Sequence, residues 1–284
     1  MSARAADEAP RLREMHGPSA FAGGWQRFVH LTWTIALTDF RLTYFGSVLG
    51  YLWSLVRPFL TFAVLLVVFT QIFNAGKGVP HFAPMLLLGV VLFLFFAEAT
   101  NSAVSAVVNR ESLVRKMQFP RLVIPLSVVL TAALNLAVNL VPVAIFVLAS
   151  GVEIRATWLL VPLVVLALVT FASGVAMILS SLYVRFRDVA PIWAVVSQVL
   201  FYGSAVIYTI DQVPGDWKRL VLANPVASLI QLSRTWIVDP AQGTPAQIMG
   251  GAAWGLIPLA VGIAVLALGL WVFNHEAPRI AERL

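Results

Sequence analysis

One acidic residue stands where an acidic residue is costly. Glu98 is the single charge in the run 78–109, and a carboxylate at mid-bilayer costs about 2.5–3.5 kcal/mol on insertion scales. Asn101, Ser102 and Ser105 follow it at helical spacing and can share its face. Such a face suits a substrate pathway. It equally suits an interhelical hydrogen bond, and the residues leave both readings open. The basic residues form three groups. The loop 109–121 holds Arg110, Arg115, Lys116 and Arg121 and stops at Phe119-Pro120, because proline cannot continue a helix. A short helix is expected there. Arg185 and Arg187 flank Phe186, with Asp188 placed to pair with one of them. Arg41 and Arg57 bracket a third region, and arginine can hold a phosphate through paired charge-assisted hydrogen bonds. Catalytic constellations are missing. His16, His30, His81 and His275 are scattered, with no H-E-x-x-H and hence no metal site of that kind. No G-x-x-x-x-G-K-[ST] cradles a nucleotide phosphate. Asp211, Asp216 and Asp239 follow no catalytic spacing, and the absence of cysteine excludes thiol chemistry and disulfides.

The elements that position these residues are apolar spans. Of 284 residues, 60% are hydrophobic and 11% charged, against about 45–50% and 25% in soluble domains. The net charge of +6 is spread too thinly for a soluble globule or a nucleic-acid binder. Crossing a bilayer takes about 20 apolar residues. Six runs qualify, with spans expected at about 55–75, 83–108, 122–150, 157–183, 190–210 and 251–274. The 14-residue run 220–233 is too short and contains Pro225, so a re-entrant or interfacial segment is expected, marked by Trp217, Asn224 and Pro225. Lys77, Arg155, Lys218, Arg219 and Arg234 fall in the segments on one side, and the other 14 of the 19 Lys+Arg fall on the opposite side, with both termini. The positive-inside rule makes that side cytoplasmic. The first 20 residues are polar and carry no apolar signal core.

Residues 1–24 read as a disordered cytoplasmic tail and 25–284 as the transmembrane domain. From Trp25 to Val48 apolar residues recur every three or four positions, which predicts an amphipathic helix. It lies in the cytoplasmic interface or packs as a soluble helix on a partner. The two three-span halves share no alignable repeat, which weakens a secondary-carrier reading.

Four stretches together resemble the ABC-2 type permeases, in the branch that exports cell-surface polysaccharide, O-antigen and teichoic acid. D-F-R-L-T-Y-F-G-S-V-L-G-Y-L-W-S-L-V-R-P (Asp39–Pro58) resembles its N-terminal helix and first span. F-P-R-L-V-I-P-L-S-V-V-L (Phe119–Leu130) resembles the loop between spans two and three. Y-V-R-F-R-D-V (Tyr183–Val189) resembles the loop before span five. S-A-V-I-Y-T-I-D-Q-V-P, with Trp217 and Asn224-Pro225 after it, resembles the outer loop. The chain departs from the family at Phe45, where a basic residue is common, and at Ala205 and Thr209, where prolines are.

The resemblance implies an all-α membrane protein that dimerises with a second copy and docks two copies of a separate cytoplasmic ATPase. ATP and magnesium would sit on that partner, with no cofactor on this chain. The cargo would be a lipid-linked glycan moved out across the bacterial inner membrane. Arg110, Arg115, Lys116, Phe119, Pro120 and Arg121 would couple to the ATPase, and Arg185, Phe186, Arg187 and Asp188 would form an inner gate. Arg41, Tyr44, Trp53 and Arg57 would receive the lipid diphosphate, and Glu98 would lie on the pathway. Two rivals stand: an ABC-2 exporter of a drug or small lipid, and a membrane-embedded glycan transferase.

Overall fold

A computed structural model describes residues 24–45, 50–74, 78–112, 120–215 and 217–283. The expected tail, and Arg115, Lys116 and Phe119 of the basic loop, lie outside them, as do the side chains of Tyr44 and Trp53. The described residues are helical, without strands. The all-α membrane architecture is therefore present, with five helices long and apolar enough to cross a bilayer and a sixth that is shorter.

In chain order, α1 is Trp25–Phe45 and α2 is Gly50–Val67, which opens into a π turn at Val68–Ile72. Next come α3 (Phe82–Asn109), α4 (Val123–Ala149), α5 (Val161–Arg185) and α6 (Val189–Gly203). Short helices follow: α7 (Trp217–Ala223), α8 (Pro225–Ser233), α9 (Pro245–Met249) and α10 (Ala252–Gly255). The chain ends in α11, Ile257–Arg283.

α3 is the hub. Its span is 78% buried, whereas α4 reaches 28% and α11 17%. It packs on α2, α4, α5, α6 and α8, and a helix surrounded by neighbours must be apolar on every side. Met85–Leu88 and Val90–Phe93 are accordingly buried without a break in period. Aromatic rings knit the hub to its neighbours. Phe96 stacks on Phe171 at 5.5 Å, Phe93 meets Phe201 edge-on at 5.2 Å, and Trp193 Nε1 donates to Thr100 Oγ1 at 3.2 Å.

α5 and α11 meet at glycines. A Cβ on Gly269 would come within 2.4 Å of the Gly174 carbonyl oxygen, and one on Gly174 within 2.8 Å of Leu266 Cα. In lipid, where helix association rests on packing, small residues permit this approach.

α1 presents two apolar faces. Phe28 and Ala36 are buried against the ends of α3 and α4, and Thr131 Oγ1 of α4 donates to the Ala36 carbonyl at 3.2 Å. Trp25, Val29 and Trp33 remain exposed as a second apolar stripe. Residues 46–48 of the expected helix lie outside the described residues.

The fifth expected span is also shorter than the sequence suggests. α6 stops at Gly203 rather than near 210 and is about 22 Å long at 1.5 Å per residue. Ala205 follows at φ 52°, in the left-handed region. Proline, held near −65°, cannot adopt that angle, which accounts for its replacement here.

Candidate functional site

Glu98, Asn101 and Ser102 stand at i, i+3 and i+4 on α3, and Asn135 and Asn139 at i and i+4 on α4, so each set shares one helix face. The two faces meet across an open cavity of about 550 Å³ that is also lined by Thr43 of α1 and by Arg57 and Pro58 of α2. Asn135 Nδ2 donates to Glu98 Oε1 at 2.7 Å. Glu98 thus bonds α3 to α4, which is the interhelical reading, and it also lines the groove. Asn101 Nδ2 donates to the Ala97 carbonyl at 2.7 Å, and Asn139 Nδ2 to the Asn135 carbonyl at 2.9 Å. Each amide keeps a second N–H and its oxygen for another partner. Asn139 Oδ1 is buried without a partner. Ser105 lies further down α3 and bonds Asn109 instead.

Arg57 shares the groove with Glu98, whereas Arg41 is exposed on α1 outside its lining. The expected phosphate-holding group is thus divided between the groove and the adjoining helix surface.

The basic loop is tied to α1. Arg110 pairs with Asp39 and also donates to Ser127 Oγ at 3.0 Å. Pro120 and Arg121 are buried where the chain starts α4 beside Phe28. In the Arg185–Asp188 group all four residues are exposed. The expected ion pair is replaced by ring contacts: Arg185 lies 5.0 Å from the Phe186 centroid and Arg187 4.9 Å from that of Tyr183. Asp188 makes no ion pair among the described residues, standing instead at the start of α6.

At the opposite end, Asn224 is the N-cap of α8. Its Oδ1 accepts from Val226 N at 3.0 Å and its Nδ2 donates to Ser204 Oγ at 2.8 Å, with Pro225 at the first helical position. This pair ends α7, starts α8 and holds both to the tip of α6. Trp217 is exposed.

Sequence reasoning misplaced one residue. Arg234, counted among the outer loop cations, is 2% exposed. Its guanidinium donates to four main-chain carbonyls: Met85 at 3.1 Å, Ala205 at 2.8 Å, Tyr208 at 3.0 Å and Val206 at 2.7 Å. Three of those carbonyls, of Ala205, Val206 and Tyr208, follow the break in α6, Met85 lies in α3, and five fixed N–H donors suit several at once. Gly89 makes the room, since a Cβ there would come within 2.9 Å of Arg234 Nη2. The available signal was a single cation inside the otherwise uncharged run 220–238.

The sequence model of the family described as ABC-2 type transporter matches residues 30–237. The chain belongs to that family. It is 29% identical over 250 residues to an O-antigen export system permease protein of Klebsiella pneumoniae, covering 87% of this chain and 92% of the relative. A second such permease, of Myxococcus xanthus, is 31% identical over 68% of this chain and 74% of its own length. The polysialic acid transport protein of Escherichia coli is 23% identical over 78% and 87%. The matched family region spans the groove, the basic loop and the Arg234 cluster, and its end at 237 falls within the segment tied to the start of α5 by Trp158 Nε1, which donates to the Ile237 carbonyl at 3.1 Å.

Proposed function

We propose that this ABC-2 chain is the transmembrane permease subunit of an ATP-driven exporter of a lipid-linked cell-surface polysaccharide, of the O-antigen, galactan or teichoic-acid kind. The observation that carries this reading is the likeness to O-antigen export permeases over about nine-tenths of both chains. The permease works as a homodimer in the bacterial inner membrane, with both termini cytoplasmic, and the positive-inside bias supports that placement. ATP and magnesium sit on two copies of a cytoplasmic partner, in keeping with a chain that carries no phosphate-cradling motif. ATPase motion reaches the spans through the basic loop and, by the Arg110–Asp39 pair, through α1. Arg185–Asp188 gates the inner end. The lipid diphosphate is received at the level of Arg41 and Arg57, where arginine offers paired donors. Of the carboxylates a transferase would need, Asp211 lies 3.8 Å from Lys218 Nζ and Asp239 Oδ1 accepts from Ala241 N at 2.9 Å, while Asp216 lies outside the described residues.

Deleting the gene in its source bacterium tests the reading. Surface polysaccharide should disappear and lipid-linked polymer should accumulate inside, with both reversed by a plasmid copy. Unchanged surface polysaccharide would overturn the proposal.

A further inference from the structure

The groove between α3 and α4 is rich in hydrogen-bond acceptors. Glu98 has one oxygen bonded to Asn135, and its second oxygen has no donor among the described residues. Among the described residues Asn139 Oδ1 is buried and unpartnered, and Asn101 gives one of its two N–H groups to Ala97. These oxygens are deep. Glu98 lies about 16 Å along α3 from Asn109, and Asn139 about 24 Å along α4 from Val123, at 1.5 Å per residue. Acceptors at that depth in a hydrocarbon layer of about 30 Å require donors. A phosphate offers only acceptors and is best served by the guanidinium of Arg57, whereas the amides and hydroxyl of Asn101, Ser102 and Asn139 both donate and accept, as a sugar hydroxyl does. An ammonium headgroup satisfies one point. The oxygens, however, are strung over about one turn of each of two facing helices, which suits a ligand carrying several hydroxyls in a row.

We infer that this groove holds the sugar residues next to the carrier diphosphate, with Glu98, Asn101 and Asn139 accepting from their hydroxyls and Arg57 at the diphosphate. The inference rests on the reading of the chain as a glycan permease and adds to it a binding site within a single subunit. Glu98 is a binding residue here, and Asn135 positions it.

The chain has no cysteine, so Ser102→Cys, exposed at the groove, reports occupancy through its rate of alkylation by N-ethylmaleimide. Full-length protein in phosphatidylglycerol nanodiscs is titrated with farnesyl diphosphate carrying one N-acetylglucosamine. It is titrated separately with farnesyl diphosphate alone. The sugar-bearing probe should slow alkylation at least about fivefold, and the bare diphosphate should leave it unchanged. Glu98→Gln and Asn139→Leu should each raise the half-protecting concentration about tenfold, as expected for losing one hydrogen bond to a charged or buried acceptor. Asn101→Cys serves as the reporter if Ser102→Cys does not give folded protein.

Equal protection by both probes would mean a phosphate site and would overturn the inference. Slow alkylation without probe, appearing only when phosphatidylethanolamine is added to the nanodisc, would assign the groove to an amine headgroup. Disulfide cross-linking between two copies of the Ser102→Cys variant would assign it to the subunit interface. No protection by either probe would also overturn it. Failure of the export reading itself is seen elsewhere, in the surface polysaccharide of the deletion strain.

Discussion

Arg234 illustrates how a buried cation is held without an anion. Four carbonyl dipoles replace a carboxylate, and each is itself a group that must not be left unpaired at the membrane edge. Lysine carries one ammonium on a flexible stem and cannot reach all four. Arg234→Lys should therefore leave about two carbonyls unsatisfied, at about 1–3 kcal/mol each. The expected result is a clear fall in the unfolding temperature of the purified protein, read by intrinsic fluorescence. A second prediction corrects the surface reading of this residue. Lys218→Cys, on a side chain 30% exposed, should react with a maleimide that cannot cross membranes, whereas Arg234→Cys should react only after denaturation. Fast labelling of Arg234→Cys in the folded protein would mean that position 234 is open to the outer solution rather than buried against α3 and the end of α6.

Among the elements, α1 and the basic loop form one mechanical unit. α1 carries Asp39, the loop begins at Arg110, and their pair is joined by Ser127 at the start of α4. The pair is partly exposed, with side chains 31% and 21% accessible, so its worth as a stabiliser is small. Its role lies in position. Asp39→Arg or Arg110→Asp alone should lower export several-fold with little change in unfolding temperature, and the double exchange should recover most of it. Polysaccharide at the cell surface and ATP hydrolysed per unit exported provide the readouts. Additive losses in the double variant would remove the pair from coupling.

For the whole molecule, the close crossing of α5 and α11 carries the last span. Gly269 presses on the backbone of Gly174, so any added side chain must part the two helices. Gly269→Val should cost about 1–3 kcal/mol, in the range of overpacked cores. It should lower the yield of folded, monodisperse protein in gel filtration while leaving membrane insertion intact. Gly262→Ala, earlier on the same helix, meets nothing within 4 Å and should be tolerated.

The membrane architecture was legible in the sequence because hydrophobicity and charge are local. A run such as 122–152 must span wherever its neighbours lie, and the absence of a nucleotide motif needs no fold to be seen. The grouping of Glu98 with Asn101 and Ser102 was also legible, since helical spacing alone puts them on one face. Their partner was not. Asn135 stands 37 residues away, and only the rotation of α4 about its own axis brings it to Glu98. The same holds for Asp39 with Arg110, and for the burial of Arg121. Arg234 misled because the positive-inside rule counts charges without regard to burial, whereas its place is set by the carbonyls that α6 frees when it breaks at Gly203. Hydropathy determines which segments enter the bilayer; tertiary packing decides which polar atoms meet inside it, because a hydrogen bond depends on facing and distance, and neither is a property of one segment.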